Sequence, residues 1–275
     1  MRVCAGLVLI VSLSLGTAAH AAEEVHVYGI AKFGGGGECG SQSQTHSIHT
    51  TTAAVFRDAF SDWDSVATNN NKNAKRTYFK GKGSPTADTM DVRGVDDADV
   101  IYVHTHGGHS LSGNYTSLSM GSAAEGCSAR TSNDMLFNSD LDIAVIKACQ
   151  SGDYEVWQQG GYSAMVPHTS TFTMWNAFHG NSSCGIHVAA YVGLYALTSF
   201  DDGVGESWLD FAYWNNWFGD DDCPVSIVWG DSAAKRHNMY ENGGFSDRKN
   251  TGAKTGSSIF FIGGCEPEKG VELPD

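Results

Sequence analysis

The stretch DVIYVHTHGGHS, residues 99–110, decides how the rest of the chain is read. Its first half is apolar on successive residues, the pattern of a parallel strand buried on both faces rather than the alternation of a half-exposed one. Its second half places His104, His106 and His109 around the pair Gly107-Gly108, where such a strand would end. A second run of the same kind, DIAVIKA at residues 142–148, ends against Cys149. Working outward, EVHVYGI (24–30), GIHVAAYV (185–192) and SSIFFIG (257–263) also read as strands. The intervening TTAAVFRDAFSDW (51–63) and GESWLDFAYWNNWF (205–218) space their apolar residues as helices do. CPVSIVWGDSAAKR (223–236) reads as a third helix, with Pro224 in the first turn, where proline is tolerated. Strands alternating with helices predict an α/β protein, a three-layer sandwich around a mostly parallel central sheet.

Composition narrows the class of function. Residues 1–22 have the form of an export signal: Arg2, the apolar core LVLIVSLSL and the small-residue site AHA. The expectation is therefore a secreted protein, extracellular or periplasmic, with residues 23–275 forming one domain. About 250 residues suit one domain with a full core. Loss of Arg2 leaves 16 basic side chains against 31 acidic ones and moves the formal charge from -14 to -15. Such a balance repels phosphate backbones and anionic lipid, so neither nucleic acid nor a membrane is an expected partner. A basic or neutral substrate fits better. Six cysteines follow the signal, Cys39, Cys127, Cys149, Cys184, Cys223 and Cys265. An even count in an oxidising compartment suggests three disulfides, with fifteen pairings open. A reactive Cys149 would limit the disulfides to two and leave one further thiol among the other five.

In open α/β sheets, reacting groups sit just beyond the carboxyl ends of the strands. His106 and Cys149 both fall there. A thiol with an ordinary pKa near 8.5 is only a few per cent ionised at neutral pH, and a histidine within hydrogen-bond reach supplies the missing base. Gly107, with no Cβ, lets backbone N–H groups approach a developing oxyanion.

His106-Gly107 after one strand, and KACQSG (147–152) after another some forty residues later, resemble the caspase-like cysteine peptidases, the group that includes caspases, metacaspases, legumains and gingipains. MWNAFHG (174–180), GIHVAAYVGL (185–194) and VSIVWGDSAAK (225–235) further resemble exported bacterial proteins of that fold. The resemblance covers roughly residues 95–235. It implies a caspase-like sheet, Cys149 as nucleophile, His106 as base or imidazolium partner, and the N–H groups of Gly107 and Cys149 as oxyanion donors. It also implies a peptide or protein substrate and no cofactor. Lys147 stands two residues before the cysteine, at the position that lines the primary specificity pocket in caspases and metacaspases, and departs from both patterns. A lysine there favours an acidic side chain at the cleaved position, unless it is paired with a carboxylate such as Asp153.

Two other readings compete. HTHGGH (104–109) resembles the His-x-His-x-Asp-His motif of metallo-β-lactamase-fold hydrolases, with Gly108 where that motif has aspartate. A zinc hydrolase would then use His104, His106 and His109, completed from His179, His187, Cys223 or His237. The third reading is a caspase-like protein that binds peptides without cleaving them.

Overall fold

A computed structural model describes residues 23–33, 39, 46–80, 94–122, 126–201, 203–218 and 221–275. Residues 1–22, the export-signal stretch, lie outside the described residues, as does most of the glycine-rich 33–44. A seven-stranded sheet organises what is described. In chain order its strands are β1 (Glu24–Gly29), β2 (Ser65–Thr68), β3 (Val100–His104), β7 (Ile143–Lys147), β8 (Met174–His179), β9 (Cys223–Gly230) and β10 (Gly256–Phe261), and their spatial order is β10-β9-β8-β7-β3-β1-β2. The five strands from β2 to β8 are parallel, and β9 and β10 continue the sheet antiparallel. Three short strands, β4 (Gly107–Ser110), β5 (Tyr115–Ser119) and β6 (Ser128–Arg130), form a separate antiparallel sheet.

Period-2 geometry sends alternate residues of each strand to opposite faces. Val25, Val27, Val100, Tyr102, Ile143 and Val145 pack with α1 (Ile48–Ala59), α3 (Val188–Thr198), α4 (Val204–Trp214) and α5 (Ala233–Asn242). Tyr28, Ile101, Val103, Ala144 and Ile146 pack on the other side with Leu118 and Ala129 of the small sheet and Val156 of α2 (Tyr154–Gln158). With both faces covered, β3 and β7 are buried at every position, which is why their sequences are apolar without alternation.

The α/β class and the mostly parallel sheet are as the sequence indicates; β1, β3 and β7 fall within the runs read as strands, and β10 overlaps its run, beginning one residue earlier. Two elements differ. Residues 185–192 are not a strand: α3 begins at Val188, and its buried side chains Val188, Tyr191, Val192, Tyr195 and Ala196 recur at helical spacing. A helix sandwiched between its neighbours and the sheet is apolar enough to mimic a buried strand in a short window. Residues 223–230 are not a helix: they form β9, buried throughout, and α5 starts only after the Ser232 N-cap. Pro224 is tolerated because β10 pairs with β9 only from Val225 onward, so its missing N–H breaks no bond of that ladder. The sequence reading also passed over β2, only four residues long, and β8, whose segment MWNAFH carries no β-branched residue.

Candidate active site

Strands β3 and β7 lie side by side in the middle of the sheet, with His104 paired to Lys147. The Thr105 N–H donates to the Lys147 carbonyl at 3.2 Å, so the two chains leave the sheet together. The segments beyond are in backbone contact. A Cβ placed on Gly107 would lie 2.0 Å from the Cys149 carbonyl oxygen and 3.0 Å from the Ala148 Cβ. No side chain fits there, which gives Gly107 a steric reason to be glycine. His106 and Cys149 each stand two residues past the His104–Lys147 pair, at one rim of the sheet.

Cys149 keeps its thiol and is partly exposed. The Ser182 N–H donates to its Sγ at 3.4 Å, and the Ser182 carbonyl and hydroxyl oxygens lie 3.7 and 3.9 Å from it. Gln150 has a φ of 56°, in the left-handed region that a non-glycine residue seldom adopts, and its N–H donates to the Gly180 carbonyl at 2.5 Å. That turn swings the chain back toward the core, Gly152 closing on Phe178, and leaves Cys149 at the apex. Backbone strain beside a thiol at a strand end is characteristic of functional sites. The His106 ring packs 5.0 Å from Phe33 and edge-on to His46 and His49, at 5.1 and 5.6 Å.

Lys147 and Asp153, the residues expected to bind substrate, are both buried and do not pair with each other. The Lys147 side chain points to the helix face, fully buried, with Nζ 3.4 Å from Asp222 Oδ2 and 4.2 Å from the Phe178 ring centre. Its partner is Asp222, not Asp153. Asp222 also accepts the Ser183 N–H at 2.6 Å and the Ser183 hydroxyl at 2.9 Å, and so holds the segment that carries Ser182. Asp153 caps α2 by accepting the Val156 N–H and lies 2.6 Å from His109 Nδ1. Although burial opposes its charge, hydrogen bonds from His179, Val156 and His109 hold its carboxyl below the usual carboxylate range.

The three histidines of 104–109 do not converge. His109 turns to Asp153 from β4, whereas His104 faces α1, where its Nδ1 is 2.6 Å from the Thr52 hydroxyl and its ring centre 4.0 Å from that of His49. Three of the four suggested further zinc ligands are engaged elsewhere. His179 Nε2 donates to the Val271 carbonyl at 2.7 Å, Cys223 is in a disulfide with Cys265, and His237 pairs with Glu241 along α5. What does gather around His104 is His49 and Cys184, with Cys184 Sγ 3.6 Å from His49 Nε2. Burial pushes His104 well below the ordinary imidazole range and His49 down to about 4. The sequence signal was HSIH, residues 46–49: two histidines three apart at a helix start, far from the strand they meet.

The three disulfides suggested by the even cysteine count are not what the structure holds; two form, which leaves Cys149 unpaired with another cysteine. Cys39 pairs with Cys127 and Cys223 with Cys265, leaving Cys149 and Cys184 as thiols. Two such crosslinks fit an oxidising compartment. Among the described residues, no helix is long and apolar enough to cross a membrane. Comparison of the chain with protein-family models and with curated proteins finds no match.

Proposed function

We propose that this protein is an exported, caspase-like cysteine hydrolase that uses His106 and Cys149 to cleave a peptide or amide bond. The observation that carries the reading is the close approach of Gly107, next to His106, to Ala148 and Cys149 at one rim, with Cys149 reduced while four other cysteines are crosslinked. In this mechanism Sγ attacks the carbonyl carbon as its proton passes to the His106 imidazole. The leaving amine takes that proton as the C–N bond breaks, and an acyl thioester remains on Cys149. Water then attacks the thioester, giving its proton to His106; the acid departs, and the thiol is restored by that proton.

The surroundings of the thiol favour a cationic substrate. Ser182, which touches Cys149 Sγ, lines a cleft of about 100 Å³ with Asn181, Ser183, Asp221, Asp222 and Glu268. Room for the end of one side chain, walled by carboxylates, suits lysine or arginine next to the scissile carbonyl. The buried Lys147 and Asp222 neutralise each other, so the cationic preference rests on Asp221 and Glu268.

Mild alkylation of the native, unreduced protein followed by mass spectrometry tests the dyad. Cys149 is expected to react ahead of Cys184, and the His106→Ala variant to lose that advantage. Fluorogenic peptides with arginine, aspartate or alanine at the cleaved position test the substrate, with arginine expected to be fastest. A Cys149 as inert as Cys184 would overturn the dyad and favour a protein that only binds peptides. Turnover fastest on aspartate would overturn the cationic preference alone.

A further inference from the structure

Cys184 has no part in that chemistry, yet it remains a thiol beside two disulfides. Its neighbours explain why. His49 lies near the start of α1, His104 ends β3 and Cys184 precedes α3; one ligand atom from each lies within 4.8 Å of the others.

Both imidazoles are oriented as metal ligands are. His49 Nδ1 is 2.7 Å from the Ile30 carbonyl, which can only accept, so the proton sits on Nδ1 and Nε2 keeps its lone pair. Nε2 is the atom 3.6 Å from Cys184 Sγ. Thr52 Oγ lies 3.1 Å from the His49 carbonyl and 2.6 Å from His104 Nδ1. With the hydroxyl proton given to that carbonyl, His104 Nδ1–H donates to the hydroxyl oxygen, and His104 Nε2 keeps its lone pair. That nitrogen is buried and has no hydrogen-bond partner. Buried polar atoms are nearly always satisfied, and an exception calls for an explanation such as an ion. Fixing a ligating imidazole by a hydrogen bond from its other nitrogen to a carbonyl or hydroxyl is how metal sites orient histidine.

We infer that His49 Nε2, His104 Nε2 and Cys184 Sγ bind a zinc ion, with a fourth position left to water. Zinc bonds of ~2.3 Å to sulfur and ~2.05 Å to nitrogen, at a tetrahedral angle, separate the two ligand atoms by about 3.6 Å. Cys184 Sγ and His49 Nε2 are 3.6 Å apart. Binding releases the Cys184 thiol proton, so the thiolate supplies one negative charge. Lys147 contributes positive charge to the surroundings of both histidines, offset by Asp222, and His46 and His106 border the site as rings. The ion would tie α1, β3 and the segment before α3 together, and a ligated sulfur is withheld from disulfide exchange. Ser182, two residues before Cys184, is the residue in contact with Cys149. The site thus anchors one wall of the thiol's surroundings, although the ligand assignment stands whether or not Cys149 is a nucleophile.

The test is titration of the full, disulfide-intact protein, stripped with chelator, with Co²⁺. One equivalent is expected to give visible d–d bands and a near-ultraviolet thiolate charge-transfer band, both displaced by one equivalent of Zn²⁺. Cys184→Ser is expected to lose the charge-transfer band and weaken Zn²⁺ binding by about tenfold or more. Cys149→Ser should keep both, and circular dichroism checks that each variant is folded. A folded wild-type protein that gives no cobalt bands overturns the site, as does a charge-transfer band that survives in Cys184→Ser or vanishes in Cys149→Ser. Alkylation of Cys184 supplies a second readout: zinc should protect it, and an unchanged rate at saturating zinc would also refute the assignment.

Discussion

Replacing Lys147 by methionine separates two roles for the residue that precedes the Ala148-Cys149 pair. The ammonium is fully buried, 3.4 Å from Asp222 Oδ2 and above the Phe178 ring. Methionine nearly conserves the volume and keeps the contact with Phe178, so little of the effect comes from a cavity. What changes is the charge: the Asp222 carboxylate, 2% exposed, keeps its Ser183 donors but loses this ammonium. Breaking a buried ion pair costs about 3–5 kcal/mol, and the remaining donors put this case near 3. For a chain of this size, that lowers Tm by about 6–12 °C. Urea denaturation at pH 7, with oxidised protein, measures it. Asp222→Asn alone should destabilise at least as much, because it leaves the ammonium buried opposite a neutral amide. The double variant should recover part of the loss, since neither charge is then stranded. A residue lining a specificity pocket would behave differently. Lys147→Met would then shift stability by less than about 0.5 kcal/mol, as a change at an open surface does, while moving substrate preference away from acidic residues. That pair of results would refute the structural role assigned to the ion pair.

Other perturbations bear on the same framework. Gly107→Ala puts a Cβ 2.0 Å from the Cys149 carbonyl oxygen; relief needs a shift of about 1 Å, expected to cost ~1–3 kcal/mol and to slow Cys149 chemistry about 100-fold. An alkylation rate within twofold of wild type would show that the contact does not position the thiol. Removing the Cys223–Cys265 crosslink, whose sequence separation is 42, by a double serine substitution should lower stability by about 4 kcal/mol on the loop-entropy account; a loss below about 1 kcal/mol would contradict it. Burial holds His26 below the ordinary imidazole range, with Nδ1 2.9 Å from the Gly94 carbonyl. The unfolded chain therefore takes up this proton first, so the contribution of His26 is present above its unfolded pKa of about 6.5 and is lost as the pH falls below it. Denaturation midpoints measured at pH 7 and pH 5 should drop more for wild type than for His26→Gln, and equal drops would refute the assignment.

The legible parts of the sequence were those where one physical constraint acts alone. β3 and β7 are covered on both faces, and VIYV and IAVI say so without ambiguity. Gly107 and Cys149 were legible because an apolar run ends at a fixed place. Residues 185–192 misled because α3 is unusually apolar over its whole length, so a short window carries no clear periodicity. Residues 223–230 misled because Pro224 is as compatible with a sheet position outside one ladder as with a helix start. The partners His49 and Cys184 lie 55 residues before and 80 after His104 in the numbering, and no local pattern joins them. Only the packing of α1 against β3, and of the segment before α3 against α1, brings them together. A carboxylate partner for Lys147 was foreseen, but as Asp153; the partner is Asp222, which is 75 residues away and was missed for the same reason.

Side-chain parity connects the two sites at this rim. His104 and Lys147 are paired in register, and their even and odd positions both face the helix layer, as Tyr102 and Val145 do. A polar residue pointing into that layer requires a partner there, because burying an unpaired charge or imidazole is unfavourable. Lys147 finds Asp222, and His104 finds Thr52 on one nitrogen. Two residues further along, His106 and Cys149 leave the sheet, and the solvent at its edge takes over part of that requirement. The order of residues along each strand therefore separates their surroundings: Lys147, through Asp222, holds the segment on which Ser182 sits, His104 is held by Thr52, and the outer pair is left partly exposed. Exchanging them would bury the Cys149 thiol in the helix layer and bring the lysine to the rim, beside the cleft lined by Ser182, Asp221 and Glu268.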